Sequence, residues 1–304
     1  MHADQLTPDE DESFEPSPDL SEEALDSELA DLVDEDDDDD LDEDSEDGDG
    51  SDDAEESESK STKKKKKKDD DEDEVIEFAD APLPTLKALK KALEWAFEGE
   101  DDVPPDFLDR CAEHALLVQK GNRRMNLTKV IDPKEIAAKL YLASWRTARL
   151  LPLLGRSVLD IGTGAGYPGV PIALAEPNTH VKMIDSSEKK VEFLRETVEA
   201  MKIPNVSVES GKAEEWLLRN RCDLAIMRNI SSVRENVRLL RKVRHSLHDL
   251  VMMKGTSWSR EVRAGEREAE RLGFRLDTIV EHELPGEMGG RAVLVYRAPG
   301  GQGR

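Results

Sequence analysis

Cysteine is scarce in this chain of 304 residues, and long apolar runs are missing. Cys111 and Cys222 are its only cysteines, which excludes a disulfide framework and a cysteine-rich zinc site. No stretch reaches the ~18 consecutive apolar residues of a membrane-spanning helix, and the N-terminus lacks the apolar run of a signal peptide. The six histidines show no metal-ligand spacing. We therefore expect a cytoplasmic protein that neither enters a membrane nor binds a metal ion.

Positive charge is scarce in one part of the chain only. Residues 1–80 contain 38 Asp and Glu against 7 Lys, whereas the other 224 residues contain 31 acids and 36 bases. The formal net charge of −26 therefore comes from the N-terminal segment. Such an acidic segment with few apolar residues cannot bury enough surface to offset its chain entropy. We predict a disordered acidic tail over residues 1–80, whose lysine block at 63–68 is either solvated or contacts nucleic acid.

The rest of the chain divides into two parts by its apolar pattern. Residues 81–156 have apolar side chains at helical spacing, and Asp132-Pro133 is typical of a helix start. Residues 157–304 alternate short apolar runs with helical segments, which predicts a mostly parallel sheet with helices on both faces. The predicted strands cover residues 158–161, 181–184, 206–208, 224–227, 250–253 and 292–296. In such an α/β fold, ligands bind at the carboxyl ends of the strands.

A glycine-rich segment joins the first predicted strand to the next helix. Glycines stand at positions 162, 164, 166 and 169, and Asp160 precedes the first of them by two residues. Glycine lets the backbone turn sharply and approach a ligand without a side-chain clash. Residues 164–169 match the dinucleotide pattern G-x-G-x-x-G, whereas an acid two residues before G-x-G-x-G is typical of a class I S-adenosylmethionine (SAM) loop.

The chemistry of this segment favours SAM. Pro168 removes an amide donor where a pyrophosphate would need one. SAM is cationic at sulfur and has no phosphate, so Asp160 can either meet its methionine moiety or orient the loop. Asp185, after the second predicted strand, can accept both hydroxyls of an adenosyl ribose in either ligand class. Ala213 and Glu214 follow the third strand, where an adenine edge usually binds, although an acidic first helical turn explains Glu214 equally well.

Several segments together resemble the ribosomal RNA small subunit methyltransferase G family, also called the glucose-inhibited division protein B family. The shared segments, within about residues 105–297, are Asn126-Leu127-Thr128, residues 159–169, Asp185-Ser186, Lys189-Lys190-Val191, Ala213-Glu214-Glu215, Arg228 and Lys254-Gly255. The resemblance implies a Rossmann-like class I methyltransferase fold behind a small N-terminal helical segment. It also implies methyl transfer from SAM to N7 of a guanine in 16S rRNA of the small ribosomal subunit. The sequence does not set the oligomeric state.

The resemblance implies roles for particular residues. The implied cofactor-binding residues are Gly162, Gly164, Gly166, Tyr167, Asp185, Ala213, Glu214 and Arg228. Arg228, at the end of the fourth predicted strand, would reach toward SAM and the target, and Lys254 ends the fifth strand near the same cleft. These two are the candidate catalytic residues. Guanine N7 has an in-plane lone pair that is free at neutral pH, so positioning and desolvation suffice without a general base.

The chain departs from the family pattern on the expected substrate side. Leu140 and Ala143 stand where the family usually has His and Asp, Asn229-Ile230 replace an Ala-Phe pair, and Gly121 replaces a tryptophan. Three alternatives therefore stay open: a SAM-dependent methyltransferase of another RNA or small molecule, a catalytically degenerate RNA-binding factor, and a nicotinamide-dependent oxidoreductase. RNA contact near the cleft and a solvated helix face explain one basic run equally well. That run consists of Arg234, Arg238, Arg241, Lys242 and Arg244.

Overall fold

The structure, a computed structural model, describes residues 76–301. The tail predicted over residues 1–80 lies outside the described residues, except for its last five. Those five contact the loop after the second helix. The backbone N–H of Glu77 donates to Oδ1 of Asn126 at 3.0 Å, and Nε of Arg123 donates to the carbonyl of Ala79 at 2.8 Å. The described chain therefore begins against the folded part of the molecule.

A seven-stranded sheet with strand order β3-β2-β1-β4-β5-β7-β6 forms the centre of the fold. The strands are β1 Ser157–Ile161, β2 His180–Asp185, β3 Val206–Ser210, β4 Cys222–Arg228, β5 Leu247–Lys254, β6 Arg275–Glu283 and β7 Gly290–Arg297. The pairings among β1 to β5 are parallel, and β7 pairs antiparallel with β5 and with β6. The predicted Rossmann-like, mostly parallel sheet is confirmed, and β6 is an addition to it.

Helices lie in sequence between these strands and before them. They are α1 Leu86–Ala96, α2 Phe107–Asn122, α3 Pro133–Glu135, α4 Ala143–Leu150, α5 Gly169–Ala175, α6 Glu188–Ala200, α7 Ala213–Arg219, α8 Val233–Leu239 and α9 Trp258–Arg271. Within the described residues, no helix is long and apolar enough to cross a bilayer.

The two faces of the sheet are buried in two separate apolar clusters. In β1, Val158 packs into the cluster that contains residues of α1, α2, α4, α5 and α6, whereas Leu159 packs into the cluster that contains residues of α7 to α9. A strand buried on both faces needs apolar residues at successive positions, not at alternate ones. This is why the central strands are continuous apolar runs in the sequence.

The helical segment before β1 starts as predicted and then changes its winding. The carboxylate of Asp132 accepts from the backbone N–H groups of Lys134 and Glu135 at 2.9 and 3.0 Å, which caps the helix. Between α3 and α4 lies a π-helical stretch, Ile136–Leu142, in which only Lys139 is not buried. Its apolar pattern has no polar face from which a changed winding could be predicted.

The Asn-Leu-Thr segment is held by the end of α2. Oδ1 of Asn122 accepts from the N–H groups of Leu127 and Thr128 at 2.9 and 3.0 Å, and its Nδ2 donates to the Thr128 carbonyl at 2.9 Å. A Cβ at Gly121 would lie 2.7 Å from side-chain atoms of both Leu127 and Phe193. A larger residue at this position would therefore require the side chains of Leu127 and Phe193 to shift.

Candidate active site

The predicted site residues meet at the carboxyl edge of the parallel strands. The order of the strands reverses between β1 and β4, and such a switch point opens a crevice for ligands. The glycine loop follows β1, Asp185 ends β2, Ala213 and Glu214 follow β3, Arg228 ends β4 and Lys254 ends β5. The structure thus brings these residues together at one edge of the sheet.

Asp160 orients the glycine loop through two hydrogen bonds to its buried carboxylate. Its side chain is fully buried, and its Oδ2 accepts from Oγ1 of Thr163 at 2.7 Å and from the N–H of Gly169 at 2.8 Å. Of the two roles that the sequence left open for Asp160, the geometry supports orientation of the loop. Burial raises the pKa of Asp160 to about 7, although the bonds from Thr163 and Gly169 and the charge of Arg228 lower it.

We expect the stability of an Asp160→Asn variant to improve relative to the wild type as the pH rises. In the wild type, folded Asp160 with a pKa of about 7 retains a proton that an unfolded Asp, with a pKa of 3.8, has released. The wild type therefore loses stability as the pH rises through this window. An amide does not titrate. The free energy of unfolding of the variant should therefore rise, relative to that of the wild type, by more than about 1 kcal/mol between pH 5 and 8. Urea denaturation at each pH measures it.

Glu268→Gln is the matched control for that experiment. A hydrogen bond from Arg271 lowers the pKa of Glu268 below its usual value, and Arg238 lowers it further, against the opposite effect of burial. Its contribution to stability is lost only as the pH falls below about 4. The difference between this variant and the wild type should therefore stay constant between pH 5 and 8. An equally constant difference for Asp160→Asn would contradict the prediction.

Asp185 ties together the segments that follow β1, β2 and β3. Its Oδ2 accepts from the N–H of Gly164 at 2.9 Å, and its Oδ1 accepts from the N–H of Ser187 at 3.0 Å. The N–H of Gly211 donates to its backbone carbonyl at 3.1 Å. Each carboxylate oxygen can accept more than one hydrogen bond, so Asp185 retains capacity for the hydroxyls of a ribose.

Four glycines at the site form two pairs that differ in what surrounds them. A Cβ at Gly164 or at Gly211 would meet no other atom within 4 Å. A Cβ at Gly166 would lie 2.8 Å from a methyl group of Val170, and one at Gly169 would lie 2.6 Å from Oδ2 of Asp160. The first pair therefore borders open space and the second pair borders the packed interior. This open cradle, with no side chain to fill it, fits an adenosyl group beside Asp185.

The two candidate catalytic residues have different surroundings. The Arg228 guanidinium lies 6.0 Å from the centre of the Tyr167 ring, and its Nη2 lies 3.5 Å from the Lys139 carbonyl. Nζ of Lys254 donates to the Ser231 carbonyl and forms an ion pair with Glu261 at 2.8 Å. Lys254 therefore binds the loop after β4 and the start of α9 to β5, whereas Arg228 has no carboxylate within ion-pair distance in the described chain.

Comparisons with known proteins decide the family. The protein family described as "rRNA small subunit methyltransferase G" matches residues 109–286, which is more than half of the chain. The chain belongs to this family. It is 29% identical to the ribosomal RNA small subunit methyltransferase G of Solibacter usitatus, over 67% of this chain and 99% of that protein. It is 35% identical to the namesake from Deinococcus deserti, over 60% of this chain and 77% of that protein.

A solved structure is also similar to the chain. It is a SAM-dependent methyltransferase from Aquifex aeolicus, with 19% identity and a TM-score of 0.40 over 54% of this chain and 93% of that one. As a member of the methyltransferase G family, the chain is a SAM-dependent methyltransferase. Among the residues that the structure describes, no group of three or more His, Cys, Asp and Glu side chains could hold a metal ion.

The methyltransferase also has a cavity of about 120 Å³ beside Arg228. It is lined by Val130, Lys139, Ala143, Arg228, Asn229, Met253, Lys254, His282, Arg291, Ala292 and Val293. Ala143, one of the two departures in the helix before β1, faces this cavity, whereas Leu140 lies in the packed core. The sequence does not point to His282, because β6 was not predicted and no local pattern marks this residue.

The basic run after β4 extends away from the site. Its first member, Arg234, lies in the first turn of α8, close to the carboxyl end of β4. Arg244 lies just before the start of β5, where the parallel strands have their amino ends. Arg238 forms an ion pair with Glu268 at 3.0 Å. Only the start of the run therefore lies near the cleft.

The Tyr167 side chain is buried in the interior of the fold, and the Arg228 guanidinium lies over its ring on the cleft side. Its hydroxyl hydrogen bonds that of Tyr141 at 2.9 Å, and the Tyr141 hydroxyl lies 2.9 Å from Nδ1 of His114. Burial lowers the pKa of His114 to about 3, so this histidine is neutral at pH 7. The Tyr167 side chain is buried with these two, so only its backbone could line a cofactor.

We expect Tyr141→Phe to lower the free energy of unfolding by about 1–3 kcal/mol, because His114 and Tyr167 would lose their buried partner. Tyr296→Phe is the matched control. Tyr296 is also buried, but its hydroxyl has no partner among the described residues, so its removal should cost nothing. Chemical denaturation compares the two variants, and equal losses would show that the hydrogen bonds of Tyr141 do not stabilise the fold.

Proposed function

We propose that this methyltransferase transfers a methyl group from SAM to N7 of a guanine in 16S rRNA of the small ribosomal subunit. The observation that carries the proposal is the open glycine cradle at Gly164 beside Asp185, in a chain of the methyltransferase G family. An rRNA substrate also implies action in the cytoplasm.

The surroundings of each residue suggest how the chain would hold SAM, which supplies an electrophilic methyl group on a cationic sulfur. The backbone at Gly162, Gly164 and Gly166 would pass beside the methionine moiety. Asp185 would accept the ribose hydroxyls. The adenine edge would meet the backbone at Ala213, whose side chain is buried, and the half-exposed side chain of Glu214. The guanidinium of Arg228 would bind a carboxylate of the cofactor or an oxygen of the target base.

The ionisable groups of the site support a mechanism without a general base. Asp160 lies fully buried below the loop, and Lys254 is engaged in an ion pair. Neither is poised to remove a proton from a substrate, and guanine N7 has none to lose. The chain would accelerate transfer by aligning N7 with the methyl group and by excluding water from the reacting atoms.

One observation favours a second substrate. Ala143 lines the cavity at a position where the family pattern has an acid, so the substrate side differs from that pattern while the glycine loop agrees with it. Another RNA is therefore the second candidate. A dinucleotide-dependent oxidoreductase is disfavoured, because an antiparallel β7 next to β5 departs from the dinucleotide-binding strand order.

Methyl transfer to purified small subunits tests the proposal. The full chain is incubated with labelled SAM and with small subunits from a strain that lacks its own methyltransferase G, and the rRNA is digested to nucleosides. We expect label in 7-methylguanosine at a single site of 16S rRNA. Subunits already methylated to completion serve as the control and should take up no label. Label in another RNA or at another base atom would support the second candidate, and a failure to bind SAM would exclude both.

A further inference from the structure

Asn229 is an exposed residue in an uncommon backbone conformation at the mouth of the cavity beside Arg228. Its φ is +52°, in the left-handed region where few residues other than glycine lie without strain. Asparagine tolerates this region better than most side chains. Non-glycine residues in this region tend to occur at ligand sites, where the surrounding structure holds them in place. The position directly after β4, at the switch point of the sheet, agrees with such a role.

The side chain of Asn229 is available to a ligand. It lines the cavity, and its amide makes no hydrogen bond or other polar contact within the part of the chain that the structure describes. An amide offers an oxygen that accepts and an NH₂ group that donates. The Watson–Crick edge of guanine presents both N–H donors and an oxygen acceptor, and asparagine reads base edges through such paired contacts.

The other walls of the cavity suit a flat neutral base better than a phosphate. Met253, Ala292 and Val293 are buried apolar residues against which a base could pack. His282 adds a neutral polar wall, because burial and the charges of Arg146 and Arg291 lower its pKa to about 4, against a smaller opposite effect of Glu100.

The cations around the cavity are largely engaged. Lys139 pairs with Glu135 at 2.8 Å, and Lys254 pairs with Glu261 at 2.8 Å. Arg291 donates to three backbone carbonyls, those of Met288, Gly289 and Gly290. A phosphate site would need free cations, and this cavity leaves mainly Arg228.

We propose that the cavity receives the target guanine and that Asn229 hydrogen bonds its Watson–Crick edge, which fixes the base for transfer. This inference rests on the proposed function and deepens it by naming a substrate contact. The assignment concerns a residue at which this chain differs from its family pattern, in the same cavity as Ala143.

Glycine is the informative substitution, because it adopts a positive φ without strain. A purely structural role of Asn229 in the turn would be fulfilled by glycine, with no loss of activity. We expect Asn229→Gly to lower kcat/KM for small subunits about 10- to 100-fold, with an unchanged Kd for SAM and an unchanged Tm. Lys202→Gly is the matched control: Lys202 is also exposed with a φ of +52°, but it follows α6, far along the chain from the cavity. It should behave as the wild type.

Asn229→Asp provides the conservative variant. It tolerates the same backbone conformation and keeps an acceptor for the N–H groups of guanine, so it should recover at least part of the activity that glycine loses. Wild-type activity in Asn229→Gly, or no advantage of Asp over Gly, would overturn the inference while the proposed function stands. If the wild-type chain binds SAM but methylates no guanine in the subunits, the proposed function fails and the inference fails with it.

Discussion

Replacing Arg228 with alanine should slow methyl transfer to small subunits at least 100-fold and leave the protein folded. The guanidinium lies over the Tyr167 ring at 6.0 Å and beside the Lys139 carbonyl, at the switch point between β1 and β4. A largely desolvated cation placed there would hold an anionic or carbonyl group of the reactants far more strongly than one in water. A 100-fold loss corresponds to about 2.7 kcal/mol of transition-state stabilisation.

Single-turnover methylation with labelled SAM measures this effect directly. Arg221→Ala is the matched control, since Arg221 is an exposed arginine directly before β4, at the opposite end of that strand from Arg228, and its loss should change the rate less than twofold. Arg228→Lys should recover little, because an ammonium group lacks the planar stacking and paired donors of a guanidinium. A rate within tenfold of the wild type for Arg228→Ala would show that Arg228 contributes nothing essential to the reaction.

Two glycine-to-alanine substitutions in the same loop should affect different properties: Gly169→Ala should lower the stability of the fold, and Gly164→Ala should lower the affinity for SAM. In Gly169→Ala, the new Cβ would lie 2.6 Å from Oδ2 of Asp160 and 2.7 Å from Sδ of Met183, inside the packed core. Such overpacking costs about 1–3 kcal/mol, and more where the bond from the Gly169 N–H to Asp160 is also lost. We expect a large fall in Tm.

In Gly164→Ala, the Cβ would meet no atom within 4 Å, so the fold should lose only the ~1 kcal/mol of backbone strain at a φ of +58°. The methyl group would instead occupy the cradle, and we expect the Kd for SAM to rise at least 30-fold. Thermal denaturation and isothermal titration calorimetry on both variants separate the two effects. If Gly164→Ala bound SAM normally, the cradle could not be the cofactor site.

The central strands and the site edge were predictable because local and tertiary requirements agree there. β1 and β4 are buried on both faces, so their sequences are continuous apolar runs. The loop after β1 carries the glycines, and β4 ends at Arg228. β6 was not predictable, since it lies at the edge of the sheet and most of its residues are at least partly exposed. The π-helical winding of Ile136–Leu142 is set by contacts on all sides and leaves no periodic signal.

The individual roles at the site depend on partners distant in sequence. Whether Asp160 faces a ligand or the loop is decided by Gly169 and Thr163. Whether Lys254 is available is decided by Glu261. The pattern of residues places these side chains at one edge of the sheet, and only the folded chain shows which atoms they contact.

The cavity beside Arg228 has four basic residues and, within the described chain, no carboxylate in its lining. A guanine that accepts a methyl group at N7 becomes a cation. Glu135 and Glu261 pair with two of these basic residues, so Arg228 and Arg291 carry the charge that the base would meet. Transfer moves the positive charge from the SAM sulfur to N7, so these two arginines would repel the methylated base more than the neutral base that entered, and would favour release of the methylated RNA.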